Sequence, residues 1–126
     1  MPSNISNLWE DKQGVTNALR GYVAPADTNA NTIIAAQGSG YRIAVTKLII
    51  SMDAGTAAVG TITLKTGSTT IAVLNAATAG AAATNLYQID FDKPIVCGDN
   101  EAFTATLSTT TNFAPKLLAV GFKCAA

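Results

Sequence analysis

The sequence predicts an all-β fold: an antiparallel two-sheet β-sandwich of about eight strands, jelly-roll-like, with an N-terminal arm. Short segments rich in β-branched residues alternate with Gly, Asn, Asp and Pro from Arg20 onward, which is the pattern of strands and turns. No segment keeps a helical period over about ten residues or more. Strands with one apolar face and loops of unequal length are typical of a sandwich. At 126 residues the chain has the size of one domain.

Residues 1–19 are predicted to form the arm and residues 20–126 the sandwich. The arm is rich in Asn, Ser, Gln and charge, and its apolar residues are sparse. Asn7 and Glu10 have the spacing of a capping pair for one helical turn. Trp9 lies outside the strand pattern, and aromatic residues are common anchors of protein interfaces. The candidate partner-binding residues are therefore Ile5, Leu8 and Trp9.

The first strands of the sandwich flank a Gly-Ser-Gly turn at residues 38–40. Residues 31–37 contain a short apolar pair bounded by Asn and by this turn. Residues 41–52 carry the longest strand signal of the chain. Their inward parity changes by one residue near Thr46 and Lys47, and a β-bulge at that point would restore the register.

A hairpin is expected in the middle of the chain. Residues 61–65 alternate cleanly between apolar and polar side chains, and residues 70–74 form the second strand. Residues 66–69 contain the Gly that the tip of a tight hairpin favours. Residues 53–55 are interpreted as a turn. The Ala/Gly-rich residues 75–84 are interpreted as a loop, because they lack periodic large apolar side chains.

The last part of the chain carries four further strand signals. Residues 86–91 form the first, which the following Asp-Lys-Pro is expected to end. Residues 95–97 form a brief second strand, and residues 102–108 and 116–124 the last two. The aligned apolar side chains are Tyr87, Ile89 and Phe91 in the first, Phe103, Ala105 and Leu107 in the third, and Leu118, Val120, Phe122 and Cys124 in the fourth.

No catalytic apparatus is recognisable. Histidine is absent, which removes the commonest general base and the usual zinc ligand. The chain has neither a G-x-S-x-G elbow nor an S-x-x-K pairing for an activated serine. The Gly-Ser-Gly at residues 38–40 precedes no helix, so it does not form a phosphate cradle. We expect a protein that is not an enzyme and has no cofactor.

Four carboxylates lie close together in sequence, on both sides of the brief strand at residues 95–97. Such a group can supply oxygen ligands for Ca²⁺, or an acid and base for glycoside hydrolysis. Acidic residues beside turns are more often solvated and serve the backbone of the turn. We expect turn chemistry and no metal site at Asp90, Asp92, Asp99 and Glu101.

The charge of the chain excludes two classes of partner. The formal net charge is zero, only 13% of residues are charged, and no run of Lys or Arg is present. The electrostatic footprint that neutralises phosphates is therefore missing, and we expect no nucleic-acid and no membrane partner. A near-neutral surface offers little repulsion between copies, which permits self-association.

The N-terminus and the cysteines indicate the compartment. The first residues lack the basic start and apolar run of a signal peptide, so synthesis in a cytoplasm is expected. No apolar stretch approaches the length of a membrane span. Cys97 and Cys124 fit neither a metal motif nor a secreted disulfide framework. Reduced thiols are expected, and a bridge between the two stays open for an oxidising setting.

The succession of residues 41–48, 62–67, 91–95 and 117–122 resembles small structural proteins of tailed bacteriophages, namely capsid decoration (cement) proteins and head-fibre modules. The resemblance is one of pattern over about residues 31–124, and it assigns no site residues. It implies a β-sandwich that trimerises on the outer surface of an icosahedral head, binds the major capsid protein and stabilises the shell. The expected function is therefore that of a non-enzymatic virion structural protein, made in the host cytoplasm.

A receptor- or carbohydrate-binding adhesin module of a phage head fibre or tail is the alternative. Such a module needs aromatic side chains on which sugars can stack. The chain has few of them, and they are scattered along the sequence. The candidates are Trp9, Tyr22, Tyr41 and Tyr87.

Overall fold

The computed structural model describes residues 17–52, 59–77 and 85–126. Within these ranges the chain forms eight β-strands and no helix. The strands are β1 (Ala18–Val23), β2 (Asn31–Ile34), β3 (Tyr41–Met52), β4 (Val59–Thr66), β5 (Thr69–Ala77), β6 (Asn85–Val96), β7 (Phe103–Leu107) and β8 (Pro115–Ala125).

The strands form two antiparallel sheets of four. The first sheet has the order β1-β8-β3-β6, and the second has the order β2-β7-β4-β5. Every connection crosses from one sheet to the other except the hairpin between β4 and β5. Two packed sheets of four strands with this crossing pattern form a jelly roll. The predicted all-β sandwich is confirmed.

The predicted β-bulge lies in β3 at the expected place. The pairing of β3 with β8 shifts between Val45 and Lys47, so Thr46 is the extra residue. The Thr46 hydroxyl donates a hydrogen bond to the carbonyl oxygen of Val120, at 3.1 Å. Strand β6 has a larger irregularity opposite the same point of β3. Val45 pairs with Ile95 and Lys47 pairs with Asp90, so four residues of β6, 91–94, lie between these two pairs.

Three strand boundaries differ from the sequence prediction. Strand β6 continues from Asn85 to Val96, so the Asp-Lys-Pro sequence interrupts the register without ending the strand. Strand β5 extends to Ala77, into the predicted loop. Strand β1 was not predicted, and it includes residues 18 and 19 of the expected arm. Residues 1–16 of the arm, the turn at residues 53–55 and residues 78–84 lie outside the described residues.

The core fills the space between the sheets. Ile, Leu and Phe dominate it, and burial of each such side chain contributes about 1.5–3 kcal/mol. Phe113, in the connection between β7 and β8, packs its ring where a side chain on Gly60 would otherwise stand. The largest fully buried side chains include Phe103, Phe113, Ile43, Leu48, Met52, Ile62, Leu64, Leu107 and Leu117.

The sandwich is closed along one side and open along the other. At β1 and β2 the two sheets meet, because a Cβ on Gly21 would overlap the carbonyl oxygen of Ile33, an approach that only glycine permits. On the opposite side, β5 and β6 are the edge strands of different sheets and line a cleft. Both the cleft and the outer faces of the sheets are available to partners.

Candidate interaction surfaces

Apolar side chains occupy many positions on the outer face of the first sheet. The strand registers align its outward side chains in rows that run from β1 across β8 and β3 to β6. One row is Ala18, Phe122, Ala44 and Val96; the next is Arg20, Val120, Lys47 and Asp90; the third is Tyr22, Leu118, Ile49 and Gln88. We call this surface the apolar face and define it by Tyr22, Ile49, Val96, Leu118, Val120 and Phe122.

The apolar face is exposed to solvent. Tyr22 is 60% exposed, Val96 49% and Phe122 39%. An antiparallel sheet with one side packed on a core normally presents polar side chains on the other. Contiguous exposed apolar patches often mark interaction sites, whereas single exposed apolar residues are normal on a protein surface.

The outer face of the first sheet also carries charge. Lys47 and Asp90 form an ion pair across β3 and β6, with 3.7 Å between Nζ and Oδ1. Both side chains are well exposed, so the pair stabilises the fold by less than about 1 kcal/mol. Arg20 in the same row leaves that row with one net positive charge, and Arg42 and Lys116 lie on the same face.

The second sheet has the opposite character. Its outward rows are rich in threonine and are formed by Thr32, Thr104, Lys65 and Thr70, by Thr106, Thr63 and Val73, and by Thr61 and Asn75. Thr32 and Thr70 are exposed, whereas the Thr104 and Thr106 hydroxyls on β7 are buried without a hydrogen-bond partner. The molecule is therefore two-sided, with an apolar face and a threonine face.

A cleft of about 580 Å³ lies between β5 and β6. Val73 of β5 is 55% exposed and Leu86 of β6 is 70% exposed, so the cleft has apolar rims. Asn75 and Gln88 also border the cleft, but their side chains belong to the outward rows of the two sheets. We call this feature the β5–β6 cleft; its lining is Ile50, Val73, Leu74, Asn75, Ala76, Leu86, Tyr87, Gln88 and Ile89.

The two strands that border the cleft differ in how their edges are protected. Natural sheets guard edge strands with charge, proline and bulges. Strand β6 has all three at residues 92–94, whereas its first residues, Asn85 to Gln88, have none. Strand β5 contains neither a charged residue nor proline over its nine residues, and its bulge at Ile71 lies outside the residues that line the cleft. The unguarded edges therefore lie beside the cleft.

The four clustered carboxylates make contacts that differ from one residue to the next. Asp90 pairs with Lys47. Asp99 Oδ1 accepts a hydrogen bond from the Gly40 amide at 2.7 Å. Asp92 is exposed on the irregular part of β6. Within residues 17–52, 59–77 and 85–126, no three His, Cys, Asp or Glu side chains form a group that could hold a metal ion.

Glu101, the fourth carboxylate, connects the β4–β5 hairpin to the β6–β7 turn. Its Oε1 accepts a hydrogen bond from the Thr66 hydroxyl at 2.8 Å, and the same hydroxyl accepts one from the Gly98 amide at 2.8 Å. A Cβ on Gly98 would overlap the carboxylate, and one on Gly67 would lie 2.7 Å from Oε2. The Glu101 carboxylate therefore has a structural role at this end of the sandwich.

Both cysteines are free. Cys97 is fully buried beside the Thr66 network, and burial raises the pKa of its thiol. Cys124 is partly exposed, and its Sγ lies 3.7 Å from the carbonyl oxygen of Arg42, to which it donates a weak hydrogen bond. Neither thiol lies in the cleft or belongs to the apolar face.

The tyrosines proposed for stacking lie at three separate places. Tyr22 is on the apolar face, and Tyr87 lines the β5–β6 cleft. The Lys123 ammonium lies 4.7 Å from the ring centroid of Tyr41, a cation–π contact. The predicted partner-binding residues Ile5, Leu8 and Trp9 lie outside the described residues.

Comparisons with known proteins do not identify the chain. No protein-family model matches the chain. A search of curated proteins finds no significant match. Among the described residues there is no helix of the length and apolar character that a membrane span requires.

Proposed function

We propose that the protein is a non-enzymatic virion structural protein that decorates and stabilises a bacteriophage capsid by binding the major capsid protein. The observation that carries the proposal is the apolar face. Covering a side chain such as Tyr22 or Phe122 removes apolar area from water, which favours association by about 25 cal/mol per Å². Ordering two partners has a free-energy cost, which a broad apolar face can offset.

The fold is compatible with this role. Jelly rolls are common among viral capsid and lectin domains, although a fold alone does not assign a function. A decoration protein must present one side to the shell and another to solvent. The apolar face suits contact with the shell, and the threonine face then lies on the side away from the shell.

The proposed form on the outer capsid surface is a homotrimer. Closed rings hide edges that a single sandwich leaves open, and the unguarded edges of this chain lie together beside the β5–β6 cleft. The zero net charge adds little repulsion between subunits. Light scattering over a concentration series tests the trimer, and a strict monomer at high concentration contradicts it.

Co-sedimentation with intact phage heads tests the proposed function. The variant Tyr22→Asp places a charge on the apolar face, and Val59→Asp places one at an apolar side chain of β4 that is 76% exposed and lies elsewhere. Loss of an aromatic anchor that the partner buries costs about 2 kcal/mol or more, so Tyr22→Asp weakens binding by more than tenfold. Val59→Asp binds as the unmodified protein does. Equal binding of both variants contradicts a role for the apolar face.

A receptor- or carbohydrate-binding adhesin is the second candidate. The observation in its favour is that the aromatic residue Tyr87 lines the β5–β6 cleft, since a sugar can stack on an aromatic ring in a concave site. Titration with a glycan panel distinguishes the two functions. Saturable sugar binding that Tyr87→Ala abolishes, without any binding to heads, favours the adhesin.

A further inference from the structure

We propose that the β5–β6 cleft receives the N-terminal arm of a neighbouring copy, with the side chains of Leu8 and Trp9 inside it. The inference rests on the proposed homotrimer and assigns the contact that closes it. Each copy gives its arm to the next and accepts one in return, so three arms fill three clefts. A head-to-tail contact of this kind closes into a ring.

The cleft matches an aromatic and aliphatic pair in size and chemistry. Its volume of about 580 Å³ is in the range of pockets that bind compact apolar groups. Its lining contains no charged residue. Tyr87, which pairs with the inward-facing Ile50, supplies an aromatic ring against which the indole can pack.

The arm carries its apolar residues and its charges in separate groups. Leu8 and Trp9 are adjacent, and Glu10, Asp11 and Lys12 follow directly. Placing the first two in the cleft leaves the three charges at its mouth, in water. Trp9 is the single tryptophan of the chain.

The position of Asn17 favours exchange between copies. Its carbonyl oxygen accepts a hydrogen bond from the Lys123 amide, which fixes the end of the arm at β1, the far edge of the first sheet. The cleft lies beyond β6, three strand spacings or about 14 Å away. It is also displaced along the strands, because Ala18 aligns with Ala44 whereas the cleft begins near Ile50, about 20 Å further along.

These displacements combine to about 24 Å over the apolar face, and about 5 Å more leads round the edge to the space between the sheets. The eight residues from Trp9 to Asn17 extend to at most about 26–29 Å. The arm reaches its own cleft only as a straight line with no slack. We therefore place the arm in the cleft of an adjacent copy.

Fluorescence of the single tryptophan tests the inference on the full chain. In the trimer, Trp9 emission is blue-shifted and resists acrylamide quenching. The variant Val73→Asp places a carboxylate at the rim of the cleft, and Trp9 then emits like a solvent-exposed indole. The matched control is Val59→Asp, the same change at an exposed β4 side chain that is outside the cleft lining and the apolar face; it leaves the emission blue-shifted.

Mixing two variants separates exchange from docking on the same copy. Trp9→Ala leaves the cleft intact and removes the chromophore, whereas Val73→Asp keeps the chromophore and blocks its own cleft. If arms exchange, the mixture recovers the blue-shifted emission that neither variant has alone. Emission equal to the sum of the separate samples overturns the exchange, as does an exposed Trp9 in the unmodified trimer.

Light scattering on the same samples separates this inference from the proposed function. If the trimer binds heads while Trp9 remains exposed, the proposed function stands, but the arm does not lie in the cleft. Sugar or peptide that competes for the cleft without moving Trp9 emission also overturns the inference. Circular dichroism of each variant confirms that the sandwich is intact.

Discussion

The Thr66 hydroxyl donates a 2.8 Å hydrogen bond to Glu101 and thereby joins β4, in the second sheet, to the turn after β6, in the first. The same oxygen accepts a hydrogen bond from the Gly98 amide. One side chain therefore satisfies a backbone donor and a carboxylate at the end of the sandwich. Buried polar groups arranged in this way contribute most when every member is paired.

Thr66→Val is expected to destabilise the domain by about 1–3 kcal/mol, because it leaves the Gly98 amide and the Glu101 carboxylate without their shared partner. The matched control is Thr63→Val on the threonine face, whose hydroxyl is not part of this network. Urea unfolding of both variants measures the difference. Equal midpoints for the two variants would contradict the structural role of Thr66.

Chelation is expected to leave the melting temperature unchanged. Asp90, Asp99 and Glu101 are occupied by Lys47, the Gly40 amide and Thr66 respectively. A bound ion would stabilise the folded state by mass action, and its removal would lower the melting temperature. Thermal unfolding with EDTA and with added calcium tests this. A drop of several degrees that calcium reverses would make these carboxylates ligands.

Gly121→Ala is expected to be strongly destabilising. A Cβ at this position would overlap the carbonyl oxygen of Ala44 on the neighbouring strand, and backbone atoms within a sheet cannot move aside cheaply. Overpacking typically costs about 1–3 kcal/mol, and more where backbone must shift. Gly38→Ala is a useful comparison, because its Cβ would meet open space and only its positive φ of 103° opposes it. Calorimetry should find the larger loss at Gly121.

The alternation of apolar and polar side chains predicted most of the fold. It did not predict, for every strand, which set of side chains points toward the core. In β8, one set of alternating residues contains Leu118, Val120 and Phe122, and the other contains Leu117 and Ala119. Both sets are apolar, so the alternation cannot tell which of them points inward. The structure buries the smaller set, since Gly121 and Ala119 permit close approach to β3. The apolar face was missed for this reason.

Strand β1 could not be predicted from its own residues. Its inward positions are Leu19, Gly21 and Val23, and the glycine in the middle breaks the apolar pattern. The glycine is required by contact with Ile33 of β2, which only the assembled fold reveals. The prediction of eight strands matched in number because the two halves of β6 were counted separately.

The stability of the domain is expected to fall at alkaline pH through Cys97. Burial raises the pKa of its thiol, the hydrogen bond with Thr66 lowers it, and the Glu101 carboxylate raises it again, with a net increase. The folded state therefore holds the thiol proton to higher pH than the unfolded state. The free energy of unfolding is unaffected below the ordinary thiol pKa and decreases as the pH rises through the folded-state value.

Comparison of Cys97→Ala with the unmodified chain isolates this contribution. Urea unfolding from neutral pH to about pH 10 should give a steeper loss for the unmodified chain than for the variant. Cys124→Ala, at the partly exposed cysteine, should keep the steeper loss. A thiol reagent should modify Cys124 first in the folded protein, because Cys97 is buried. Parallel pH profiles for all three chains would contradict the assignment.

Removal of residues 1–16 is expected to weaken assembly while the sandwich remains folded. A chain that begins at Asn17 keeps the hydrogen bond from the Lys123 amide and all six residues of β1. A chain that begins at Tyr22 loses four of the six β1 pairs with β8, together with the partly buried Leu19, and it should melt at a lower temperature. Without the arm, copies bind heads one at a time and lose the avidity of the trimer, which is worth roughly 10²–10⁴-fold. Thermal unfolding and co-sedimentation of both truncated chains measure the two effects separately. If the chain from Asn17 fails to fold, the arm belongs to the core; if it sediments with heads as tightly as the full chain, attachment depends on the apolar face alone.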